Sequence, residues 1–349
     1  MNRYSRRSFI KDAVKLSVCT PFIPAGFKID DTSRTSSKEH IMTVNGMFKA
    51  SDLGFTLTHE HILVDFIGAE NYDPGRWKHE EVIKTVRPYL DEIKEFGCKT
   101  FVECTPEYIG RDPVLLKKLS DLTGMLFLTN TGFYGAADNK YMPGKAYEMD
   151  SGSLAELWIR ESESGINGSG IKPGFMKIGV APGPLSELHQ KIVKAAGQTH
   201  LETGLAIASH TGPAIPAFEE ISLLQSLGIA PEAFIWVHAQ NEKDSDQRLN
   251  AAKMGAWVSI DGLNPENADQ YVNWLQDFKK HDLLDKVLVS HDAGWYSPGE
   301  DGGGSFTPYS AVFKALVPKL KTNGFTSTEI NQVFTINPGK AFAKKVRKT

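Results

Sequence analysis

The stretch GFTLTHEHILVDF, residues 54–66, sets His59 and His61 one residue apart in an otherwise apolar run of strand type. In an extended chain, residues two apart share a face, so both imidazoles project to one side and Glu60 to the other. Two imidazoles in one small space are either core histidines satisfied by hydrogen bonds or ligands of a transition metal, which takes neutral imidazole nitrogen readily. Other runs of the same type hold further ligand-type residues near their C-terminal ends: Lys177 in GFMKIGV, His210 in LAIASHT, His238 in FIWVHAQ and Asp292 in KVLVSHD. Convergence of these groups from five strands favours the metal reading. Lysine is the odd member, because an ammonium repels cations. Its neutral amine takes up carbon dioxide to give a carbamate, an anion with two oxygens that can bridge two metals as a glutamate would. The alternative for Lys177 is an ion pair with a buried carboxylate such as Glu103.

Such residues need a scaffold that brings strand ends together. Apolar runs recur at FTLTHEHI, KTFVECT, MLFLTNT, GFMKIGV, LAIASHT, FIWVHAQ, AWVSIDG and KVLVSHD, and most are followed by a stretch of helical period. Two of these, EEVIKTVRPYLDEIKEFG and ELHQKIVKAAGQTHLETG, end in glycine, the expected helix stop. The alternation predicts an α/β fold with parallel strands closed into a (β/α)8 TIM barrel, whose chemistry belongs at the C-terminal ends of the strands. An open doubly wound sheet is the alternative, but no Gly-x-Gly-x-x-Gly follows the first strand to give it a dinucleotide site. Asn45-Gly46 between short apolar stretches predicts a β-hairpin ahead of the barrel. One domain is expected over 42–349, with GEDGGGS (299–305) as a flexible loop.

Composition excludes some functions and adds an address. The 349 residues carry a net charge of −3 without a dense basic tract in the globular part, so the electrostatic footprint of a nucleic-acid binder is absent. SRRSFIK, with Arg6 and Arg7, precedes the apolar run LSVCTPFIPAGF, which predicts a twin-arginine export signal over 1–30 and a periplasmic destination. Residues 31–41 read as a polar linker. Val18 is bulkier than the small residue that usually precedes a lipid-bearing cysteine, which argues against an anchor at Cys19. No apolar run reaches the ~18 residues of a membrane span, so the mature protein is expected to be soluble. Cys98 and Cys104 flank one extended run and are too far apart for a disulfide, so free thiols are expected.

Taken together and in order, TVNGMFKASDLGFTLTHEH, GFMKIGV, IASHT, WVHAQ, LVSHDAGW and VFTINPGKAF (333–342) resemble the phosphotriesterase family of the amidohydrolase superfamily. The resemblance runs from about residue 42 to the C-terminus. It implies a (β/α)8 barrel holding two divalent metal ions, with His59, His61 and Asp292 on the more buried ion, His210 and His238 on the more exposed one, and carbamylated Lys177 bridging. Zinc is the first expectation; manganese, iron and cobalt suit the same ligands. The implied enzyme is a hydrolase acting through a metal-bridging hydroxide, with Asp292 as general acid/base. A lactone or carboxylic ester, including sugar-derived ones, is the expected substrate, and a phosphotriester the alternative. From other classes come a non-catalytic periplasmic binding protein and a lyase or isomerase. Family members are often dimeric, which makes a homodimer the expected assembly.

The loops TGFYGA and DAGWYSPGEDGGG are expected to wall the pocket with Phe133, Tyr134, Trp295 and Tyr296, of which Tyr134, Trp295 and Tyr296 are the candidate substrate contacts. Related enzymes carry an acidic cluster after the sixth-strand histidine. Here HAQNEKDSD puts Gln240 and Asn241 in the nearest places, which weakens any proton relay there. Strand alternation turns His291 away from Asp292 and into a structural role.

Overall fold

In the computed structural model, which describes residues 39–349, the chain opens on an antiparallel hairpin of β1 (His40–Thr43) and β2 (Gly46–Lys49). The first strand begins at His40 rather than at 42. Gly46 follows the turn with φ +104°, a conformation that favours glycine. The expected export signal, Cys19 and most of the expected linker lie outside the described residues.

Parallel strands follow: β3 (Phe55–Leu63), β4 (Cys98–Glu103), β5 (Leu126–Leu128), β6 (Asn130–Thr131), β7 (Phe175–Gly179), β8 (Ile207–His210), β9 (Phe234–Val237), β10 (Trp257–Ile260), β11 (Val287–Val289) and β12 (Gly294–Tyr296). β5 and β6 are one barrel strand interrupted at Thr129, and β11 and β12 together form the eighth, so every expected run is a strand of the (β/α)8 barrel. The ladder runs from β6 through β7, β8, β9 and β10 to β11, and from β12 through β3 and β4 to β5. Between β11 and β3 the ring closes through Thr58, whose N–H donates to Ser290 Oγ at 3.0 Å and whose hydroxyl donates to Val289 O at 3.4 Å. Gly294 pairs with His61 at the same seam; a Cβ there would stand 1.8 Å from His61 O, so only glycine lets β12 approach.

Helices cover the outside, including His79–Glu95, Pro113–Thr123, Ser151–Ser164, Glu187–Thr203, Ala214–Ser226, Ser245–Met254 and Ala268–Lys280. The expected stops are used: Gly204 caps Glu187–Thr203 in the left-handed conformation, and Ser186 opens that helix by accepting from His189 N–H. Alternation along the strands then sorts two cores. Val102, Leu128, Phe175, Ala208, Ile235 and Leu288 fill the lumen, while Phe101, Phe127, Met176, Ile207, Trp236 and Val258 pack under the helices. Lys177, between Met176 and Ile178, is therefore turned inward, as is His210 beyond Ala208. Among the described residues no helix is long and apolar enough to cross a membrane, and Cys98 and Cys104 are buried free thiols.

Glu60 is the clasp of the seam. Fully buried on the helix side of β3, it accepts from Ser290 Oγ (2.6 Å), His291 N (3.1 Å), His291 Nδ1 (2.6 Å) and Ala293 N (3.0 Å). His291 Nε2 in turn accepts from Val312 N–H at 2.9 Å, which fixes the tautomer and gives His291 the structural role expected of it. Glu60→Ala strands these buried donors without an acceptor. We expect a stability loss of about 3 kcal/mol or more by urea denaturation, and a smaller one for Glu60→Gln, which keeps one acceptor oxygen.

Candidate metal centre and active site

The six ligand-type residues meet at the C-terminal mouth of the barrel. His59 Nε2 lies 3.4 Å from Asp292 Oδ1 and 3.4 Å from Lys177 Nζ, and His61 Nε2 lies 2.9 Å from Asp292 Oδ1. The His238 ring sits 5.0 Å from His59 and 4.4 Å from His210, centroid to centroid. Alternation alone would turn His238 outward, since Ile235 and Val237 both face the lumen. Its left-handed backbone, φ +62°, re-aims it, and Asp292 (φ +55°) and Trp295 (φ +77°) adopt the same region. Backbone strain of this kind persists where the surroundings over-determine it, and functional sites are where it gathers.

A seventh residue, absent from the sequence reading, organises the others. Asp261, fully buried just after β10, accepts from His59 Nδ1 at 2.9 Å and from His238 Nδ1 at 2.6 Å. Ser259 Oγ (2.7 Å), His238 N (3.3 Å) and Gln240 Nε2 (3.1 Å) also donate to it. Burial alone would raise its pKa, but the two imidazoles outweigh burial and hold it well below the usual carboxylate range. An ionised carboxylate only accepts, so both Nδ1 atoms carry their protons and both Nε2 lone pairs are free for the cavity. His61 is set likewise: Nδ1 meets Thr105 Oγ1 at 2.7 Å, and the Thr105 hydroxyl donates onward to Glu103. Burial lifts the Glu103 carboxyl to about 7. Glu103 is spent on Thr105 and on Ile62 N–H, not on Lys177, and among the described residues no carboxylate stands within 4.0 Å of Lys177 Nζ. The ion-pair alternative for this lysine is not what the structure shows.

Burial first, then the nearby Lys177 ammonium, lowers His59 to about 4; burial, His238 and Lys177 push His210 well below the ordinary histidine value. Burial opposes ionisation of Asp292, yet His59, His61 and His238 hold its carboxyl below the usual range. His59 Nε2 and His61 Nε2 both point at Asp292 Oδ1, at 3.4 and 2.9 Å. Two imidazole nitrogens and a carboxylate oxygen converging on one point are a donor set that fits a divalent metal. His59, His61 and Asp292 offer ligand atoms close enough to share one ion. His59, His238 and Asp261 also lie close together, but the 2.6–2.9 Å contacts of that group are hydrogen bonds that hold the rings.

Above the cluster is a cavity of about 190 Å³. Its walls are Val64, Phe66, Ile109, Tyr134, Tyr141 and Trp295, and its floor holds Cys104 and the six ligand-type residues. The Tyr134 ring lies 4.9 Å from His210, and Trp295 stands edge-on to His61 at 6.1 Å. Phe66 touches both Trp295 (5.7 Å) and Tyr141 (6.0 Å). Two expectations need correction. Tyr296 follows the left-handed Trp295 and packs outside the barrel, its ring under Gly303. Phe133 is likewise buried outside, edge-on to Trp158 at 5.7 Å. Phe66 and Tyr141, on loops without periodic pattern, take the places those two were given.

A sequence profile described as the Phosphotriesterase family matches residues 39–342. The chain belongs to this family. It is 27% identical over 293 residues to the phosphotriesterase homology protein of Escherichia coli K12, covering 83% of this chain and 98% of that protein. It is 25% identical over 306 residues to the aryldialkylphosphatase of Saccharolobus solfataricus, covering 84% and 96%. Among solved structures, the organophosphorus hydrolase from Deinococcus radiodurans superposes with a TM-score of 0.78 over 88% of this chain and 98% of that one, at 24% identity, a likeness of fold. As a phosphotriesterase-family member the protein is a metal-dependent hydrolase of small molecules, and the family works with a metal pair. Asp261→Ala should free both Nδ1 protons from their anchor. We expect metal affinity to fall ~10–100-fold in a chelator titration, with Asp261→Asn falling less than Ala.

Proposed function

We propose that this hydrolase cleaves a small lactone or carboxylic ester. The cavity carries the reading: it is compact, apolar and aromatic, and its walls hold no fixed charge outside the ligand cluster. Ligand sites for drug-sized molecules run to ~300–1,000 Å³, so this one suits a flat ring or short acyl group. A phosphorus centre with three substituents spreads in three directions and needs room for each. Phosphotriester hydrolysis stands as the second reading, supported by likeness to the aryldialkylphosphatase.

In this reading His59, His61 and Asp292 hold one divalent ion, His210 and His238 the other, and Lys177 bridges them as a carbamate, with zinc the first candidate. Support for the carbamate is a lysine nitrogen buried among imidazoles without a carboxylate partner. When bound, such a pair lowers the pKa of a shared water toward neutrality and polarises the substrate's electrophilic centre. The chain's own residues supply the rest. Asp292, its side chain 25% open to the cavity, takes the proton of the attacking water and returns it to the leaving oxygen. Tyr134 is kept a neutral phenol by burial, with Asp292 and Tyr141 adding to the effect, and so remains a donor for a substrate oxygen. Gln240, where an acid could have continued the relay, instead exchanges hydrogen bonds with Asp261: Nε2 donates to Oδ1 and Oε1 accepts from the backbone N–H. The proton thus travels only between water, Asp292 and the leaving group. Arg6 and Arg7 support a periplasmic place of action, and a homodimer is the proposed assembly.

Elemental analysis of purified protein should find about two metals per chain, falling sharply in Lys177→Ala. Asp292→Asn should keep most of the metal and lose ~10²–10⁴-fold in kcat; near-normal turnover would remove its assigned role. In a panel of lactones, aryl esters and paraoxon, we expect lactones or carboxylic esters to have the highest kcat/KM. Paraoxon ahead of all of them would put the second reading first.

A further inference from the structure

Helix Ala214–Ser226 packs on the barrel through Ala217, Ile221 and Leu224, and Glu220 sits in the same stripe, fully buried. A carboxyl in an apolar stripe is unfavourable unless its oxygens are used. The Ser209 hydroxyl lies 2.5 Å from Glu220 Oε1, and the Thr211 hydroxyl 2.7 Å from Oε2. Ser209 and Thr211 are the two neighbours of His210. Alternation turns them toward the helix while His210 faces the cavity.

The hydrogens can be counted. Thr211 Oγ1 also lies 3.0 Å from the carbonyl of Ser209, which only accepts. These contacts need three hydrogens, and the two hydroxyls supply two. A protonated carboxyl supplies the third: Ser209 donates to Oε1, a protonated Oε2 donates to Thr211, and Thr211 donates to the Ser209 carbonyl. Among the described residues no Lys, Arg or His nitrogen lies within 4.0 Å to favour the ionised form, in contrast to Glu161, which Arg111 grips with two nitrogens at 2.8 and 2.9 Å. Burial pushes the Glu220 carboxyl up to about 8, the same direction.

His59, His61 and His238 each have Nδ1 held by a neighbouring side chain. The His210 ring has no such hydrogen bond among the described residues; its aromatic neighbours are Tyr134 at 4.9 Å and His238 at 4.4 Å. Its aim therefore depends on the strand end that carries it. We propose that Glu220 is the positioning residue for His210: by closing a hydrogen-bonded ring with Ser209 and Thr211 it fixes that strand end, and through it the more exposed metal position. This rests on the reading of His210 as a ligand of that ion.

The test uses the full chain loaded with zinc, dialysed against graded chelator and analysed for metal per chain, with thermal melts alongside. Glu220→Gln reproduces the neutral carboxyl, since its amide N–H donates to Thr211 and its oxygen accepts from Ser209. Glu220→Ala breaks the ring, and the double variant Ser209→Ala with Thr211→Val removes the same bonds should Glu220→Ala fail to fold. We expect wild type and Glu220→Gln to hold both metals, while the ring-breaking variants release one ion ~10–100-fold more readily and keep the other. Retention of both ions at wild-type strength, equal weakening of both, or a Gln variant as defective as Ala overturns the role of Glu220 while leaving the metal pair in place. A folded wild type that binds fewer than two metals overturns the dinuclear reading, and this inference with it.

Discussion

Asp261 lies between two imidazoles that reach it from different strands, and the geometry of the centre follows from that one carboxylate. Burying an ion costs several kcal/mol unless donors surround it, and here two ring N–H groups, a hydroxyl, a side-chain amide and a backbone N–H do so. In exchange the carboxylate dictates which nitrogen of each ring carries the proton. The lone pairs of His59 and His238 are left on the cavity side with their ring planes fixed. Ligand orientation is thus settled before a cation arrives, which is what a tight and selective metal site needs.

The same device recurs on the helix side of the barrel wall. Glu60 fastens β11 and β12 to β3, and Glu103 steadies His61 through Thr105. A barrel strand can do both jobs because consecutive side chains point to opposite faces: one residue enters the cavity and the next is tied down behind it. His238 and Asp292 fall outside this regular alternation. Both need left-handed backbone, at a cost of order 1–3 kcal/mol each, offset by the hydrogen bonds and packing that hold the strand ends.

Much of this was legible in the sequence. Apolar runs of strand length gave the barrel, and His, Lys and Asp residues at the ends of five of them marked the six groups that meet at its mouth. Asp261 was not legible. In AWVSIDG it reads as an ordinary strand end, and its partners His59 and His238 are 202 and 23 residues away. Glu220 hides for another reason: Glu219 and Glu220 are adjacent on a helix, one half-buried and one fully buried, and only the helix's rotation against the barrel distinguishes them. Tyr296 lies in a segment that reads as a loop, DAGWYSPGEDGGG, and the left-handed turn at Trp295 just before it carries no sequence signal. Phe66 and Tyr141 stand on loops, where no period announces direction.

The cavity wall and the metal cage draw on different parts of the chain. Phe66, Ile109 and Tyr141 stand beyond the strand ends, and none of the buried carboxyls Asp261, Glu60, Glu103 or Glu220 bonds to their side chains. The cage is welded into the barrel, while the wall is attached to its rim. A lineage carrying this architecture can change its diet by altering loop residues and inherit its catalytic core unchanged. Mutational drift in such a protein is therefore partitioned in advance: the rim is open to experiment, and the interior is held to a single solution.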